Sequence, residues 1–402
     1  MRPNNSFLEK LLSIINVCVY SVVSTVVIIF ILEVLARTVI VPTDWGMDPR
    51  QINIAPHIPV NSPDGKLISI SDLVNKNNYD GRCGFLYPYP YVAAQSVSNV
   101  RSPSCNSNQQ GFRDSSFDEI IKDSRKKVLL LGGSGMWGAG ATNDNTTIRG
   151  YLQRCFDSKN LPYRAVSLAM PGFLSMSELI TFERIAPRLQ PDWVIVMNGG
   201  NDVAQAMYQP APGNPIFYLE SEILLGNAYK SKKSTLYSLA NSMELVRSMK
   251  RWLKLEKAHY NELFDYVRNR TSLVSGLNDN KSISNEIVTQ YYYNMRSLIQ
   301  LSQANNVNML LVLQPSVCTI NPSNDLEAKL GTSVFFKDTY ALLHEKQRIL
   351  SEKYGISQLN GGDIFNRDNT TATKIVDQFH YTDYGNELLA TEFCSIIEKK
   401  QQ

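Results

Sequence analysis

The sequence has little of the chemistry that holds metals or nucleic acids. Its 402 residues include only four histidines and six cysteines. No Cys-x-x-Cys or His-x-x-x-His spacing occurs, so we expect no metal site and no cofactor. The formal net charge is only +3 and no long basic run appears, which argues against nucleic acid as a partner. Hydrophobic residues make up 43% of the chain, which is enough for a sizeable core.

The longest apolar run of the chain follows a short tail at residues 1–10. Residues 11–32 contain no charged side chain, and these 22 residues are enough to cross a bilayer as a helix. A cleaved signal peptide is one alternative, but its apolar region would be shorter and a small-x-small cleavage site would follow it. A buried soluble helix is another, and such a helix usually carries polar residues on one face. We therefore expect one uncleaved transmembrane helix at 11–32.

The charges around this run do not orient it. Arg2 and Lys10 precede the run, and Arg37 and Arg50 follow it. Counting positive residues on the two sides therefore gives nearly a tie. The side of the membrane on which the rest of the chain lies has to be inferred from other features.

Cysteine usage indicates at least one free thiol. Cys18 lies in the apolar run, and the remaining five cysteines cannot all pair within the chain. Cys83 and Cys105 flank a loop rich in Pro, Tyr and Ser. We predict a disulfide between them, on the expectation that this part of the chain lies outside the cytosol.

Residues 33–125 lack sustained periodicity and are rich in Pro, Asn, Ser and Asp, which predicts an irregular linker and N-terminal extension. One segment within it stands out, the sequence Asn-Gln-Gln-Gly-Phe-Arg at 108–113. We expect this segment to support a nearby site rather than to act in it, because loops near a site more often have that role.

From residue 126 to the C-terminus, short apolar runs alternate with helical patterns. This alternation predicts an α/β fold, a doubly wound three-layer α/β/α sandwich with a central parallel sheet. An insertion at about 203–285 interrupts it after a strand, so we expect a lid or a wall of the active site there, with its basic residues on a solvated face. The predicted strands are 128–131, 164–169, 193–197 and 307–313; the predicted helices are 146–157, 175–189, 291–304 and 383–398.

Four short segments carry residue types that acyl transfer needs. Ser134 ends a Gly-Gly-Ser turn and offers a nucleophile, and Gly172 ends a Met-Pro-Gly turn and offers a backbone amide. Asn201 follows two glycines and offers a neutral donor for an oxyanion. His380 offers a base, and Asp377 offers the carboxylate that orients it. Each segment alone is also an ordinary turn. A phosphate-binding loop at Ser134 is a poor alternative, because no Gly-Lys-Ser/Thr follows.

Together these segments resemble the SGNH (GDSL-type) hydrolase and acyltransferase superfamily, from about Lys126 to the C-terminus. The segment at 108–113 is similar to one that bacterial members often have before the nucleophile. Gly133 stands where the family usually has Asp, although Gly-Gly-Ser occurs in bacterial membrane-anchored members. The resemblance implies a nucleophile, base and orienting carboxylate at Ser134, His380 and Asp377, and an oxyanion hole formed by Ser134, Gly172 and Asn201.

The resemblance also implies a function. We expect a membrane-anchored serine esterase that acts on acyl, particularly acetyl, esters of cell-surface or exported carbohydrate through an acyl-enzyme. The domain would lie outside the cytoplasm, which is the periplasmic side if the cell is Gram-negative. One alternative is a polysaccharide O-acyltransferase with the same site and a polytopic acyltransferase partner. The other is a non-catalytic, membrane-tethered glycan-binding or assembly protein.

Overall fold

The computed structural model describes residues 92–206 and 280–401, three short strands between 59 and 89, and helical residues between 16 and 32. The chain divides into two compact units. The first comprises residues 1–44 and 222–269, and the second comprises residues 45–221 and 270–402. Most of the predicted insertion, residues 207–279, lies outside the described residues.

The predicted membrane segment belongs to the first unit. Wherever the structure describes residues between 16 and 32, they are helical. Within the described part of the chain, no helix is both long and apolar enough to span a bilayer. The predicted span at 11–32 extends beyond the described residues. Among the described residues of this segment, these large hydrophobic side chains are exposed: Val17, Val19, Tyr20, Val23, Val27, Ile28, Ile29, Ile31 and Leu32.

The extension at 33–125 is more regular than its composition predicts. Strands β1 (Pro59–Asn61) and β2 (Leu67–Ser69) pair antiparallel, as do β3 (Leu86–Tyr89) and β4 (Ala93–Ser96). A short helix, α1 (Phe117–Lys122), follows, and the Ser116 side chain caps it. These elements are too short to produce a sequence period, which is why the composition alone indicated irregular structure.

The central sheet has five parallel strands in the order β6-β5-β7-β8-β9. The chain adds β6 on one side of β5 and then continues with β7 on the other. In such sheets the crevice at the reversal, outside the carboxyl ends of the strands, is where ligands bind. The strands are β5 (Lys126–Gly132), β6 (Tyr163–Ser167), β7 (Trp193–Asn198), β8 (Asn308–Leu313) and β9 (Ser357–Asn360).

Side chains of the inner strands alternate between two separate hydrophobic clusters. Leu129 and Leu131 of β5 belong to one cluster, whereas Val128 and Leu130 belong to the other. This period of two is the pleat of a strand. Because both faces are covered, the inner strands are apolar throughout, as is typical of buried parallel sheets.

Helices cover both faces of the sheet. The first cluster includes residues of α4 (Ser175–Leu189), α6 (Asn280–Ala304) and α7 (Val334–Tyr354). The second includes residues of α3 (Ile148–Ser158), α8 (Gly361–Arg367) and α9 (Asp383–Lys399). The predicted three-layer fold with a central parallel sheet is therefore confirmed. Two further helices, α2 (Ser134–Trp137) and α5 (Gly200–Ala206), begin at the carboxyl ends of strands.

Some elements differ from the sequence-based boundaries. Helix α6 begins at Asn280 rather than at Tyr291, and α7 and β9 had not been predicted. Strand β9 consists of Ser-Gln-Leu-Asn at the edge of the sheet, and all four residues are only half-buried. A short polar edge strand gives no apolar run by which it could be recognised.

One disulfide joins two helices on the same side of the sheet. It links Cys155 of α3 to Cys394 of α9, which are 239 positions apart in the chain. Cys318 is a free thiol, in agreement with the expected odd cysteine. Cys105 is buried and disulfide-bonded. Its predicted partner Cys83 lies outside the described residues.

Candidate active site

The predicted site residues follow the carboxyl ends of three neighbouring strands. Ser134 comes directly after Gly133 at the end of β5, and Gly172 lies in the loop after β6. Asn201 lies just beyond the end of β7. These strands surround the reversal in strand order at β5. The fold therefore places the candidate nucleophile and both additional oxyanion candidates at the switch point expected for a ligand.

His380 connects Ser134 to Asp377. The Ser134 Oγ lies 2.6 Å from Nε2 of His380, and Nδ1 of the same ring lies 2.6 Å from Oδ2 of Asp377. All three side chains are buried. A base needs one ring nitrogen on the nucleophile and the other on an acceptor that fixes its tautomer. The structure brings the three residues together in this arrangement, across 246 positions between Ser134 and His380.

A tight turn explains how three-residue spacing places the carboxylate behind the imidazole. Ile375 and Tyr381 form an antiparallel bridge, and the amide of Val376 donates to the carbonyl of His380 at 2.9 Å. Asp377 and His380 therefore lie at the two ends of the turn. The Oδ1 atom of Asp377 accepts from the amide of His380 at 2.9 Å and from the amide of Phe379 at 3.0 Å. These bonds leave Oδ2 directed at the ring.

The electrostatics of Asp377 suit an orienting carboxylate. Burial alone would raise its pKa, but the neighbouring His380 and the two backbone amides outweigh this effect, so the pKa of Asp377 is lowered. An ionised Asp377 can accept a hydrogen bond from the Nδ1–H group and stabilise a positive charge on the ring. This is the state that a general base passes through after taking a proton from a serine.

The side-chain amide of Asn201 is fixed by the loop that carries Gly172. Its Nδ2 donates to the carbonyl of Phe173 at 2.7 Å. One amide proton is used in this bond, and the second has no acceptor among the described residues. Gly172 has φ +78°, a conformation that favours glycine, and its loop leads into α4. The two candidate donors are thus connected through Phe173.

Gly133 leaves the space that Asn201 occupies. A Cβ atom at position 133 would lie 2.3 Å from Nδ2 of Asn201 and 3.1 Å from the carbonyl oxygen of Phe173. No side chain fits there without displacing the amide. The close approach gives a local reason for glycine at a position where the resembled superfamily usually has Asp.

The sequence analysis missed Gln314, which connects the base loop to the strand ends. Its Nε2 donates to the carbonyl of Phe379, next to His380, at 3.0 Å. Its backbone amide donates to the carbonyl of Asn198 at 2.9 Å. Gln314 belongs to no motif. Its position directly after β8, at the sheet edge where the other site residues lie, was the available signal.

The segment at 108–113 packs behind the short helix that begins at Ser134. Arg113 is buried, and its Nη1 donates to the carbonyl of Gly138 at the end of α2, at 2.9 Å. Its Nε pairs with Asp144 at 2.7 Å, and its guanidinium lies over the Trp137 ring at 4.7 Å. Arg113 thereby holds the end of the short helix that begins at Ser134.

Two buried carboxyl groups that the sequence analysis did not single out lie close to the oxyanion loops. Burial raises the pKa of Asp202 to about 6, although hydrogen bonds from Ser175 oppose the shift. Burial, and then the charge of Asp202, raises the pKa of Glu178 well above its ordinary value, with the hydrogen bond from Asn198 opposing. The charge of Asp202 thus disfavours ionisation of the neighbouring Glu178.

A doubly wound sheet with a Ser–His–Asp array at its switch point defines an SGNH-type serine hydrolase. The chain belongs to the GDSL-like lipase/acylhydrolase family, whose model matches residues 130–388, more than half of its length. The match includes Ser134, Gly172, Asn201, Asp377 and His380. The predicted family and the predicted enzyme class are therefore confirmed.

Comparison with solved structures gives distant likenesses. TesA is 11% identical, with a TM-score of 0.40, over 68% of this chain and 99% of TesA. The acetyl xylan esterase AlAXEase is 14% identical, with a TM-score of 0.38, over 67% and 99% of the two chains. Axe2, an acetylxylan esterase from Geobacillus stearothermophilus, is 14% identical, with a TM-score of 0.39, over 67% and 93%. No curated protein matches the chain.

Proposed function

We propose that the protein is a membrane-anchored serine esterase that removes acyl groups, in particular acetyl groups, from cell-surface or exported carbohydrate. The observation that carries the proposal is the continuous array from Ser134 Oγ through His380 to Asp377, with 2.6 Å at each step. Such an array activates a serine for attack on an ester carbonyl.

In the first half of the reaction, Ser134 is acylated. Its Oγ attacks the acyl carbonyl carbon while His380 Nε2 takes the hydroxyl proton, and the carbonyl oxygen gains the negative charge. The tetrahedral intermediate then collapses as the bond to the sugar oxygen breaks. His380 returns its proton to that oxygen, which leaves as a hydroxyl group. Asp377 stays ionised and stabilises the imidazolium between the two transfers.

The developing oxyanion is stabilised by donors at the switch point. The remaining amide proton of Asn201 is available, and its bond to Phe173 fixes the direction of the amide. The backbone amides of Gly172 and Ser134 are the other proposed donors. Preorganised donors of this kind act most strongly in a buried, water-poor site, and each contributes a factor of about 10²–10³ in rate.

In the second half, an acceptor hydroxyl attacks the acyl-enzyme. His380 takes the proton of this acceptor, and Ser134 leaves with a proton from His380 as the new acyl product forms. With water the product is a carboxylic acid, and the protein is an esterase. A sugar hydroxyl in place of water would make the same residues an O-acyltransferase, which is the outcome that an acceptor-competition assay distinguishes.

Features outside the site support the proposed location. The uncharged run at 11–32 has the length of a membrane span. The described residues of this run are helical, and their exposed apolar side chains need an apolar environment. The disulfide between Cys155 and Cys394 is of a kind that persists in oxidising compartments. We therefore place the enzyme domain on the extracytoplasmic side.

A serine-directed fluorophosphonate tests the chemistry. The wild-type chain is expected to be labelled and to release acetate from p-nitrophenyl acetate and from acetylated oligosaccharides. Ser134→Ala should lose both activities and remain folded. Ser158→Ala changes a serine in an exposed turn of α3 and serves as the matched control. Labelling of Ser134→Ala equal to that of the wild type would contradict the proposal.

Acceptor competition and topology are measured separately. Acetyl transfer to an added oligosaccharide in preference to water would assign the protein to the transferases. For the location, a reporter active only outside the cytoplasm is fused after Gln402. The fusion is expected to be active, and activity from a reporter that works only in the cytoplasm would overturn the proposed orientation.

A further inference from the structure

Two buried carboxyl groups join the loops that carry the proposed oxyanion donors. Asp202 follows Asn201 in α5, and Glu178 lies in α4, the helix that begins just after the Gly172 loop. Asp202 is 4% exposed and Glu178 is fully buried. Neither forms an ion pair with any described residue. Burial of unpaired carboxyl groups is costly, which raises the question of what these two groups do.

The first connection runs from Asp202 to Ser175, at the start of α4. The Ser175 hydroxyl donates to Oδ1 of Asp202 at 2.5 Å, and the Ser175 amide donates to the same oxygen at 3.1 Å. Asn294 of α6 donates to the Ser175 hydroxyl at 3.0 Å and so directs the serine proton towards Asp202. Ser175 is only three residues beyond Gly172. This connection therefore ties the Gly172 loop to α5.

The second connection runs from Glu178 to the end of β7. The Nδ2 of Asn198 donates to Oε2 of Glu178 at 2.5 Å, and the Tyr291 hydroxyl donates to Oδ1 of Asn198 at 2.6 Å. Asn198 lies three residues before Asn201. The two carboxyl groups thus join α4 to the β7–α5 connection at both sides of Asn201.

We propose that Asp202 is a positioning residue for the oxyanion site, which holds the Gly172 loop and Asn201 at a fixed separation by binding Ser175. The inference rests on the proposed oxyanion role of these two residues. Asp202 reaches none of the reacting atoms itself. Its effect is transmitted through Ser175 on one side and through the adjacent Asn201 on the other.

Ionisation of Asp202 is what makes this connection strong. As a carboxylate it accepts both Ser175 bonds, whereas a protonated carboxyl group is a weaker acceptor for the same amide and hydroxyl. The titratable groups that its charge affects are Glu178 of α4, Tyr291 of α6 and Tyr340 of α7. All three are neutral in their protonated form. Burial raises the pKa of Asp202 to about 6, so above this pH Asp202 is the carboxylate that accepts both Ser175 bonds.

Graded variants test the connection by kinetics. Asp202→Ala removes both Ser175 bonds and is expected to lower kcat at least ~10-fold with little change in KM, because the oxyanion exists only after attack. Ser175→Ala removes the hydroxyl bond alone and should have a smaller effect. Asp202→Asn keeps an acceptor oxygen without the charge and should restore part of the lost kcat.

A matched control separates positioning from stability. Asp114 is also a buried carboxylate, and its Oδ2 accepts from the Ser167 amide in β6 at 2.7 Å. Asp114→Asn should lower the melting temperature without a selective loss of kcat. The positioning role is overturned when Asp202→Ala lowers only the melting temperature and keeps kcat at the level of Asp114→Asn.

The protonation of Asp202 can be followed without catalysis. In the full-length His380→Ala variant, which lacks the imidazole of the site, the ¹H–¹⁵N signal of the Ser175 amide is recorded from pH 4.5 to 8. We expect a shift with a midpoint near pH 6, the value to which burial raises the pKa of Asp202, and loss of this titration in Asp202→Asn/His380→Ala. An unchanged Ser175 signal over this range would refute the inference. Failure of the esterase proposal would appear instead in the labelling of Ser134→Ala.

Discussion

A Cβ atom on Gly133 would lie 2.3 Å from the side-chain nitrogen of Asn201. The residue before the nucleophile and the proposed oxyanion donor thus share one small space. Asn201 cannot move aside freely, because its amide is held at 2.7 Å by the carbonyl of Phe173. Glycine at 133 is therefore a requirement of this site, and the departure from the usual Gly-Asp-Ser does not indicate an inactive protein.

The first prediction follows from this contact. Gly133→Ala should displace the Asn201 amide and lower kcat by ~10–10³-fold, because disturbing one oxyanion donor has an effect of this size. Gly331→Ala is the control, since a Cβ there would meet no atom within 4 Å. The measurement is kcat of both variants beside their melting temperatures. A fully active Gly133→Ala enzyme would show that the amide can shift without consequence.

The second prediction concerns Asn201 itself. Asn201→Ala should slow the chemical step by ~10²–10³ and leave substrate binding nearly unchanged. Asn201→Asp should be slower still, because a carboxylate repels the developing charge and cannot donate to the Phe173 carbonyl. A turn residue would behave in the opposite way, since Asp suits turns almost as well as Asn. A stable Asn201→Asp enzyme with near wild-type kcat would exclude Asn201 from the site.

The third prediction concerns the disulfide between α3 and α9. Breaking it should lower the unfolding free energy by about 2–5 kcal/mol, as for other native disulfides that close long loops. Cys155→Ala, Cys394→Ala and the double variant are compared by urea unfolding. Because either single change removes the cross-link, the double variant should be little less stable than the singles. Additive losses would mean that the two cysteines contribute only by packing, and Cys318→Ser is the free-thiol control.

The fourth prediction concerns Glu178 and pH. Burial and the charge of Asp202 raise the pKa of Glu178 in the folded protein. Above its unfolded pKa, Glu178 keeps a proton only when folded, so the wild type loses stability as the pH rises towards the folded value. Glu178→Gln removes this loss. The unfolding free energy of Glu178→Gln minus that of the wild type should increase from pH 4.5 to 7.5, by up to about 1.4 kcal/mol per pH unit. A gain that is identical at both pH values would contradict the raised pKa.

The sequence was sufficient for the parts of the fold that carry long apolar patterns. The apolar run at 128–131 predicted the centre of β5, and the run at 193–197 predicted β7, because buried parallel strands are apolar on both faces. The half-buried strand β9 was not predicted, because it lacks the apolar run that marks a strand buried on both faces. The start of helix α6 was predicted too late. Its first turns adjoin the insertion in the sequence, where the strand–helix alternation on which the prediction depended is interrupted.

The candidate site likewise contains residues that the sequence indicated and residues that it did not. Residue type and local context were enough to predict a set of candidate residues, since each lies in a short segment whose residue types indicate its chemistry. These candidates are Ser134, Gly172, Asn201, Asp377 and His380. Gln314 gave no comparable signal, and Asp202, although it follows Asn201 in the same segment, showed no role there. A glutamine after a strand and an aspartate in the first turn of a helix are common, and their importance depends on which loop they reach.

The amino-acid sequence was enough to predict the class of fold and to nominate the candidate reacting groups, because period, strand-end position and side-chain chemistry are local properties. The contacts between these elements became known from the three-dimensional structure alone: the space next to Gly133 that Asn201 fills, the disulfide across 239 positions, and the two carboxyl groups that join α4 to the β7–α5 connection. Each of these joins segments that are remote in the chain or separate in the sheet. Such contacts depend on distances of a few ångströms that no pattern along a single chain records.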